Sequence, residues 1–109
     1  EKIAWLTLSE DMLEKFHVDT EDTHAFINHL LVLDNIKIAV MFKQMGNQIK
    51  ISLRSIGDVD VGVMAKALGG GGHDHSAATI VEGALETVVK STIDKLQSLL
   101  EATEKCPLP

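Results

Sequence analysis

Cysteine, arginine, proline and aromatic residues are all scarce in this sequence, and each scarcity narrows what the chain can be. The single cysteine, Cys106, can neither close an internal disulfide nor build a zinc site by itself. That points to a reducing, cytoplasmic setting. With no tyrosine, one tryptophan and three phenylalanines, the chain lacks the aromatic platforms on which single-stranded nucleic acid stacks over a wide surface. No apolar run approaches the ~18 residues of a membrane-spanning helix, and no basic, then apolar, then small-residue leader opens the chain. A net charge of −6 argues against a broad basic face for nucleic acid. What remains is the composition of an ordinary globular domain, 45% apolar and 24% charged in 109 residues. A chain of that length buries about two-thirds of the surface its unfolded form exposes, with no need of a staple. One domain over 1–109 is expected. The chain begins at Glu1 directly in strand-like sequence, which reads as a piece excised from a longer protein.

The charge is unevenly spread. Residues 1–35 carry two lysines against eight acids, a balance of −6, and residues 67–109 three lysines against six acids, a balance of −3. Residues 36–66 carry four lysines and Arg54, the only arginine, against Asp58 and Asp60, a balance of +3. An anion site therefore belongs in or beside the middle third.

Hydrophobic periodicity orders the elements. Ile3 to Leu8 reads as a strand with Ile3 and Trp5 on one face. Ser9 is a candidate N-cap for a short helix ending near His17, and a second helix after Asp19 or Thr20 carries the stripe Phe26, Ile27, Leu30 and Leu31. Two strands follow. Ile36, Ile38, Val40 and Phe42 alternate with Lys37, Ala39, Met41 and Lys43; Ile49, Ile51 and Leu53 alternate with Lys50, Ser52 and Arg54. Gly46-Asn47 between them suits a tight hairpin turn. Asp58 or Asp60 can cap a short helix ending at Leu68, with Val61, Met64, Ala65 and Leu68 buried. Ala77 to Val81 reads as another strand, Gly83 as a turn. A last helix from Ala84 to Ala102 carries the stripe Leu85, Val88, Val89, Ile93, Leu96, Leu99 and Leu100, leaving Cys106 to Pro109 as a frayed tail. The fold class is α/β in the broad sense: a mixed β-sheet with an antiparallel hairpin, flanked by helices.

The run Gly69-Gly70-Gly71-Gly72-His73 needs a cause, because each glycine costs about 0.5–1 kcal/mol relative to alanine in regular structure. A helix C-cap accounts for one or two of them. A Cβ-free chain can also turn its amides toward one point and admit an anion, phosphate being the usual guest. The Lys-Ser/Thr of a P-loop and the spacing of a dinucleotide fingerprint are both missing. His73 can donate to a phosphate oxygen, and Arg54, on the polar face at the end of its strand, can fork onto one. The bland alternatives are a structural loop and a solvated arginine.

Three further readings compete. His73 and His75, with Asp74, could bind one metal ion if the loop is extended, whereas His24 and His29, five apart, do not share a helical face. Ser52 or Ser76 with His73 could act as a hydrolytic pair, but no nucleophile elbow is present. A non-catalytic nucleic-acid module gripping one terminal phosphate is compatible with the acidity of the chain.

Ile51-Ser52-Leu53-Arg54-Ser55, then Asp60-Val61, Ala65, the run Gly69 to His73, and Ala77-Ala78 together resemble the DHHA1 domain, the C-terminal substrate-binding domain of the DHH/DHHA1 phosphoesterase superfamily. That superfamily includes oligoribonucleases of the nanoRNase type that also act as pAp phosphatases, and cyclic-di-AMP phosphodiesterases; alanyl-tRNA synthetase carries a related C-terminal domain. The resemblance covers most of the chain. It implies that this is the substrate domain of a longer, manganese-dependent phosphoesterase. Both metal ions would sit in an N-terminal DHH domain whose Asp-His-His motif is absent here, none being bound by this chain. It implies that Arg54, Ser55 and His73, with Gly70, Gly71 and Gly72 as backbone donors, contact the phosphate of a nucleotide or short oligonucleotide. Asp74 and His75 would line the rim, with no catalytic residue or metal ligand in this chain. The implied partners are the DHH domain of the same protein and the substrate, with no membrane; a homodimeric parent is compatible. The sequence after His73, Asp74-His75-Ser76-Ala77-Ala78-Thr79, is similar to the cyclic-dinucleotide branch and to DHH modules fused to nucleotidyltransferases. Leu53 before Arg54-Ser55 is similar to the nanoribonuclease form, so the two branches stay open.

Overall fold

The computed structural model describes residues 3–9, 36–57 and 59–105, with the backbone alone at 103–105. The helices expected between Ser9 and Leu31, and the tail from Cys106, lie outside the described residues, as do His17, His24 and His29.

Five strands form one mixed sheet. In chain order they are β1 (Ile3–Leu8), β2 (Ile38–Met45), β3 (Gln48–Ser55), β4 (Gly71–Gly72) and β5 (Ser76–Glu82), arranged β1-β2-β3-β5-β4. β1 runs parallel to β2, and every other pairing is antiparallel. The β2–β3 hairpin closes through Gly46-Asn47, with Met45 opposite Gln48 and Gly46 at φ +62°. A glycine meets the positive φ of such a two-residue turn without strain.

The period of two sorts the side chains into two faces. Ile38, Val40, Phe42, Ile49, Ile51 and Leu53 share one face and are fully buried. Each stabilises the fold by about 1.5–3 kcal/mol relative to exposure. They pack against two helices, α1 (Val61–Ala67) and α2 (Leu85–Lys105). Val88, Leu96 and Leu100 of α2 are buried in that core, with Leu85, Val89, Ile93 and Leu99 around them, as the helical stripe requires. Asp60 caps α1, its Oδ1 accepting from the Val63 amide at 3.1 Å. Val61, Met64 and Ala65 are buried and Leu68 is half-buried.

β2 departs from the expected alternation. Ala39 and Met41 are buried as well, so this central strand is covered on both faces. Ile36, expected beside Ile38, instead packs with Leu6, Leu8, Ala39 and Met41 on the other face. It precedes the first paired residue of the strand, where no pleat enforces its side. Ile3 packs into the main core, but Trp5, on the same face of β1, is 49% exposed. No helix among the described residues is long and apolar enough to cross a membrane.

Candidate functional site

The second face of the sheet is unlike the first. Register places Lys50, Ser52 and Arg54 of β3 opposite Ile80, Ala78 and Ser76 of β5. Gly71 of β4 lies opposite Ala78, and the His73 amide bonds the Ser76 carbonyl at 2.8 Å. Residues directly opposite one another share a face. Arg54 and His73 therefore stand on the same face, one on each side of Ser76, their Cα atoms two strand spacings or about 10 Å apart. Arg54 and Ser76 are half-buried, His73 exposed. Beside that row lies a floor of small residues, Gly71, Ala78 and Ser52, the first two half-buried and Ser52 buried.

The glycine run has a mixed explanation. The amides of Gly69 and Gly70 donate to the carbonyls of Lys66 at 3.1 Å and Ala65 at 2.7 Å, closing α1, and the Thr79 hydroxyl donates to the Leu68 carbonyl at 3.3 Å. A Cβ on Gly70 would collide with the Ala78 carbonyl oxygen and the Thr79 backbone. One on Gly72 would come within 2.5 Å of Ala77 Cα. These two glycines let β4 press onto β5. Gly71 differs: a Cβ there meets nothing within 4 Å. No neighbouring atom calls for a glycine at that position, and it opens onto the face that carries Arg54 and His73.

The expectation that Gly70, Gly71 and Gly72 offer converging amides is corrected by these bonds. Gly70 is engaged by the helix end. Antiparallel alternation from the His73–Ser76 bond makes Gly71 and Ala78 the next bonded pair, so β5 engages Gly71, and Gly72 alone of the three has its amide bonded to neither β5 nor the end of α1.

Ser55 is corrected too. It follows Arg54, so the pleat sends it to the helix-covered face. There it is buried, its hydroxyl donating to the Val59 carbonyl at 2.7 Å and to that of Asp74 at 3.3 Å. Its contribution is to hold the loops together. Asp74 and His75 belong to the same staple: the Asp74 carbonyl accepts from the Val61 amide at 2.7 Å, and that of His75 from the Ser55 amide at 3.1 Å. The His75 ring meets the Gly57 carbonyl at 2.9 Å. A carbonyl only accepts, so Nε2 of His75 carries the proton. The outer atoms of both residues stay exposed, with His75 Nδ1 3.7 Å from Asp74 Oδ1. Among the described residues no three His, Cys, Asp or Glu side chains converge on a metal position.

Sequence reasoning missed Gly62 and gave Ser76 another role. Ser76, weighed there only as a hydrolytic partner of His73, sits between Arg54 and His73. Gly62, buried in α1, lets the loop pack close, since a Cβ there would lie 2.9 Å from the His73 carbonyl oxygen. A glycine inside a helix costs about 1 kcal/mol, and that cost was the available signal for Gly62. The place of Ser76 beside Arg54 had no signal in the sequence until the register was known.

Comparisons with known proteins identify the family and the fold. The DHHA1 domain family model matches residues 3–106. Two curated relatives, each a membrane protein–large ribosomal subunit bL9 fusion protein, come from Onion yellows phytoplasma and Aster yellows witches'-broom phytoplasma. They are 37% and 36% identical over 73 residues, which is 66% of this chain and 8% of each relative. Among solved structures, an exopolyphosphatase-related protein from Bacteroides fragilis superposes with a TM-score of 0.75 at 24% identity, over 94% of this chain and 29% of that one. The C-Ala domain of Aquifex aeolicus alanyl-tRNA synthetase superposes with a TM-score of 0.61 at 13% identity, over 85% of this chain and 86% of that one. The chain thus spans a small part of the curated relatives it matches, and the two solved structures share its fold. With the glycine run pressed onto β5 and the family match reaching from the first strand to the end of the last helix, this chain belongs to the DHHA1 domain family of the DHH superfamily.

Proposed function

We propose that this domain positions the phosphate of a nucleotide or short oligonucleotide for hydrolysis by a DHH domain of the same parent protein. The observation that carries the reading is the row Arg54–Ser76–His73, two cationic or proton-donating side chains on one face beside an open Gly71. A guanidinium forks onto phosphate oxygens, an imidazole donates from the other side, and a serine hydroxyl between them adds a third donor. Gly71 adds no side-chain bulk where a sugar or phosphate would approach. The chemistry of this chain is then placement and charge support for a group held in the right orientation.

The family implies manganese. The described residues do not supply a ligand set for it, because His75 is tied to Gly57 and no third ligand converges with His73. The ions would be held by the DHH domain of the parent protein. In this reading the parent works in the cytoplasm, in line with the single cysteine.

The test is turnover by the full-length protein against pAp, a dinucleotide RNA and cyclic-di-AMP side by side. Arg54→Ala and His73→Ala should each lower turnover on the preferred substrate by on the order of 100-fold, as loss of a donor to developing charge does, with melting temperature unchanged. Near-normal turnover in both variants would end the assignment.

A second reading, a non-catalytic RNA-end-binding module, is favoured by the likeness to the C-Ala domain over most of that domain's length. It expects binding of RNA ends with no hydrolysis of any of the three substrates.

A further inference from the structure

The face that carries Arg54 continues past it to a pair of cations that the phosphate row does not use. Lys43 of β2 and Lys50 of β3 are direct cross-strand partners. Like charges placed opposite each other are unfavourable, and among the described residues neither lysine has an ion-pair partner. Glu82 lies nearby, two residues beyond Ile80 on the same face, but forms no ion pair with either. Both lysines are half-buried, so they lie along the sheet surface. Opposite Lys50 on β5 stands Ile80, 54% exposed. Ser76, Ala78 and Ile80 thus form a row along β5, with Arg54 and His73 beside one end and Lys50, then Lys43, beside the other.

Arg54 and Lys50 are four residues apart on one strand, about 13 Å at the usual rise. That separation of their Cα atoms is farther than one nucleotide step. We infer that Lys43 and Lys50 form a second phosphate subsite, and that this face takes an oligonucleotide whose chain crosses it, with a base against Ile80. The inference rests on the proposed grip at Arg54 and His73 and extends it to substrate length. An inorganic phosphate chain has the same charge but nothing to lay on Ile80, which favours the nucleotide.

The experiment measures binding of labelled RNA dinucleotide and pentanucleotide to the full-length protein with divalent ions withheld. Lys43→Gln/Lys50→Gln should weaken the pentanucleotide on the order of tenfold and make its log-affinity against log-salt slope shallower by about 0.7 for each phosphate that the variant no longer neutralises. The dinucleotide should stay within twofold. Ile80→Ser should weaken the pentanucleotide alone, and inorganic polyphosphate should compete equally well with wild type and Ile80→Ser. Equal loss at both lengths, or none, overturns the subsite. Stronger binding of polyphosphate than of the pentanucleotide overturns the choice of ligand. Arg54→Ala separates the two ideas. If it weakens both lengths while the lysine variant changes neither, the second subsite alone fails; if it changes neither length, the primary grip fails. The lysine variant should melt at or above the wild-type temperature, and Lys50→Gln alone carries the same test should the double variant melt early.

Discussion

The two faces of one sheet are built from the same strands and do opposite things. On one, Ile38, Val40, Phe42, Ile49, Ile51 and Leu53 meet α1 and α2 with almost no exposed area. On the other, over β3, β5 and β4, Arg54, Lys50, Ser76, Ala78 and Gly71 are half-buried and Ile80 and His73 exposed. The first face is set by volume, and the second by charge and by the absence of bulk. The difference teaches where function can sit without disturbing the fold. A residue on the open face can change with little effect on packing, while its neighbour one position along the strand cannot. Arg54 and Ser55 are that pair: adjacent in sequence, they differ in side, in burial and in partners.

The sharpest way to break this contrast is to remove bulk from the covered face. Phe42→Ala should lower unfolding free energy by about 3–5 kcal/mol, read by urea denaturation, against no measurable loss for Arg54→Ala. A small loss for Phe42→Ala would mean that the core is not where stability lies. Next in size is the contrast within the glycine run. Gly70→Ala drives a methyl into the Ala78 carbonyl and should cost about 1–3 kcal/mol. Gly71→Ala meets nothing and should melt within a few degrees of wild type while weakening nucleotide binding. Equal melting of the two variants would refute the division of labour between them. Smallest is Ser55→Ala, which leaves the Val59 carbonyl without its 2.7 Å donor. It should cost about 1 kcal/mol with nucleotide affinity unchanged; a large loss of affinity at full stability would return Ser55 to the site.

Much of the architecture was legible because it is local and periodic. Alternation marked β1, β2, β3 and β5, the Gly46-Asn47 turn closed where a positive φ was expected, and the stripe of α2 from Leu85 to Leu100 met the core along its length. Asp60 was legible as a cap because a carboxylate can accept from an amide three residues on. The failures came where a residue's fate depended on a remote partner. Ile36 lies outside the pleat. Ser55 was grouped with Arg54 by the resemblance, although the strand period separates them. Gly69 and Gly70 close α1, as the C-cap reading of one or two glycines allowed, which takes up the Gly70 amide that the resemblance gave to a phosphate.

The order of residues alone determined that this chain has a sheet with one apolar side, a helix-ending glycine run followed by histidine, and a lone arginine at the end of a polar strand face. Those features follow from periods of two and 3.6 and from the missing Cβ, which act over a few residues. Only the tertiary structure decided that β5 lies between β3 and β4. That placement sets Ser76 between Arg54 and His73 and aligns Lys50 with Ile80. Strand order and register are long-range pairings, chosen by how the buried faces pack together.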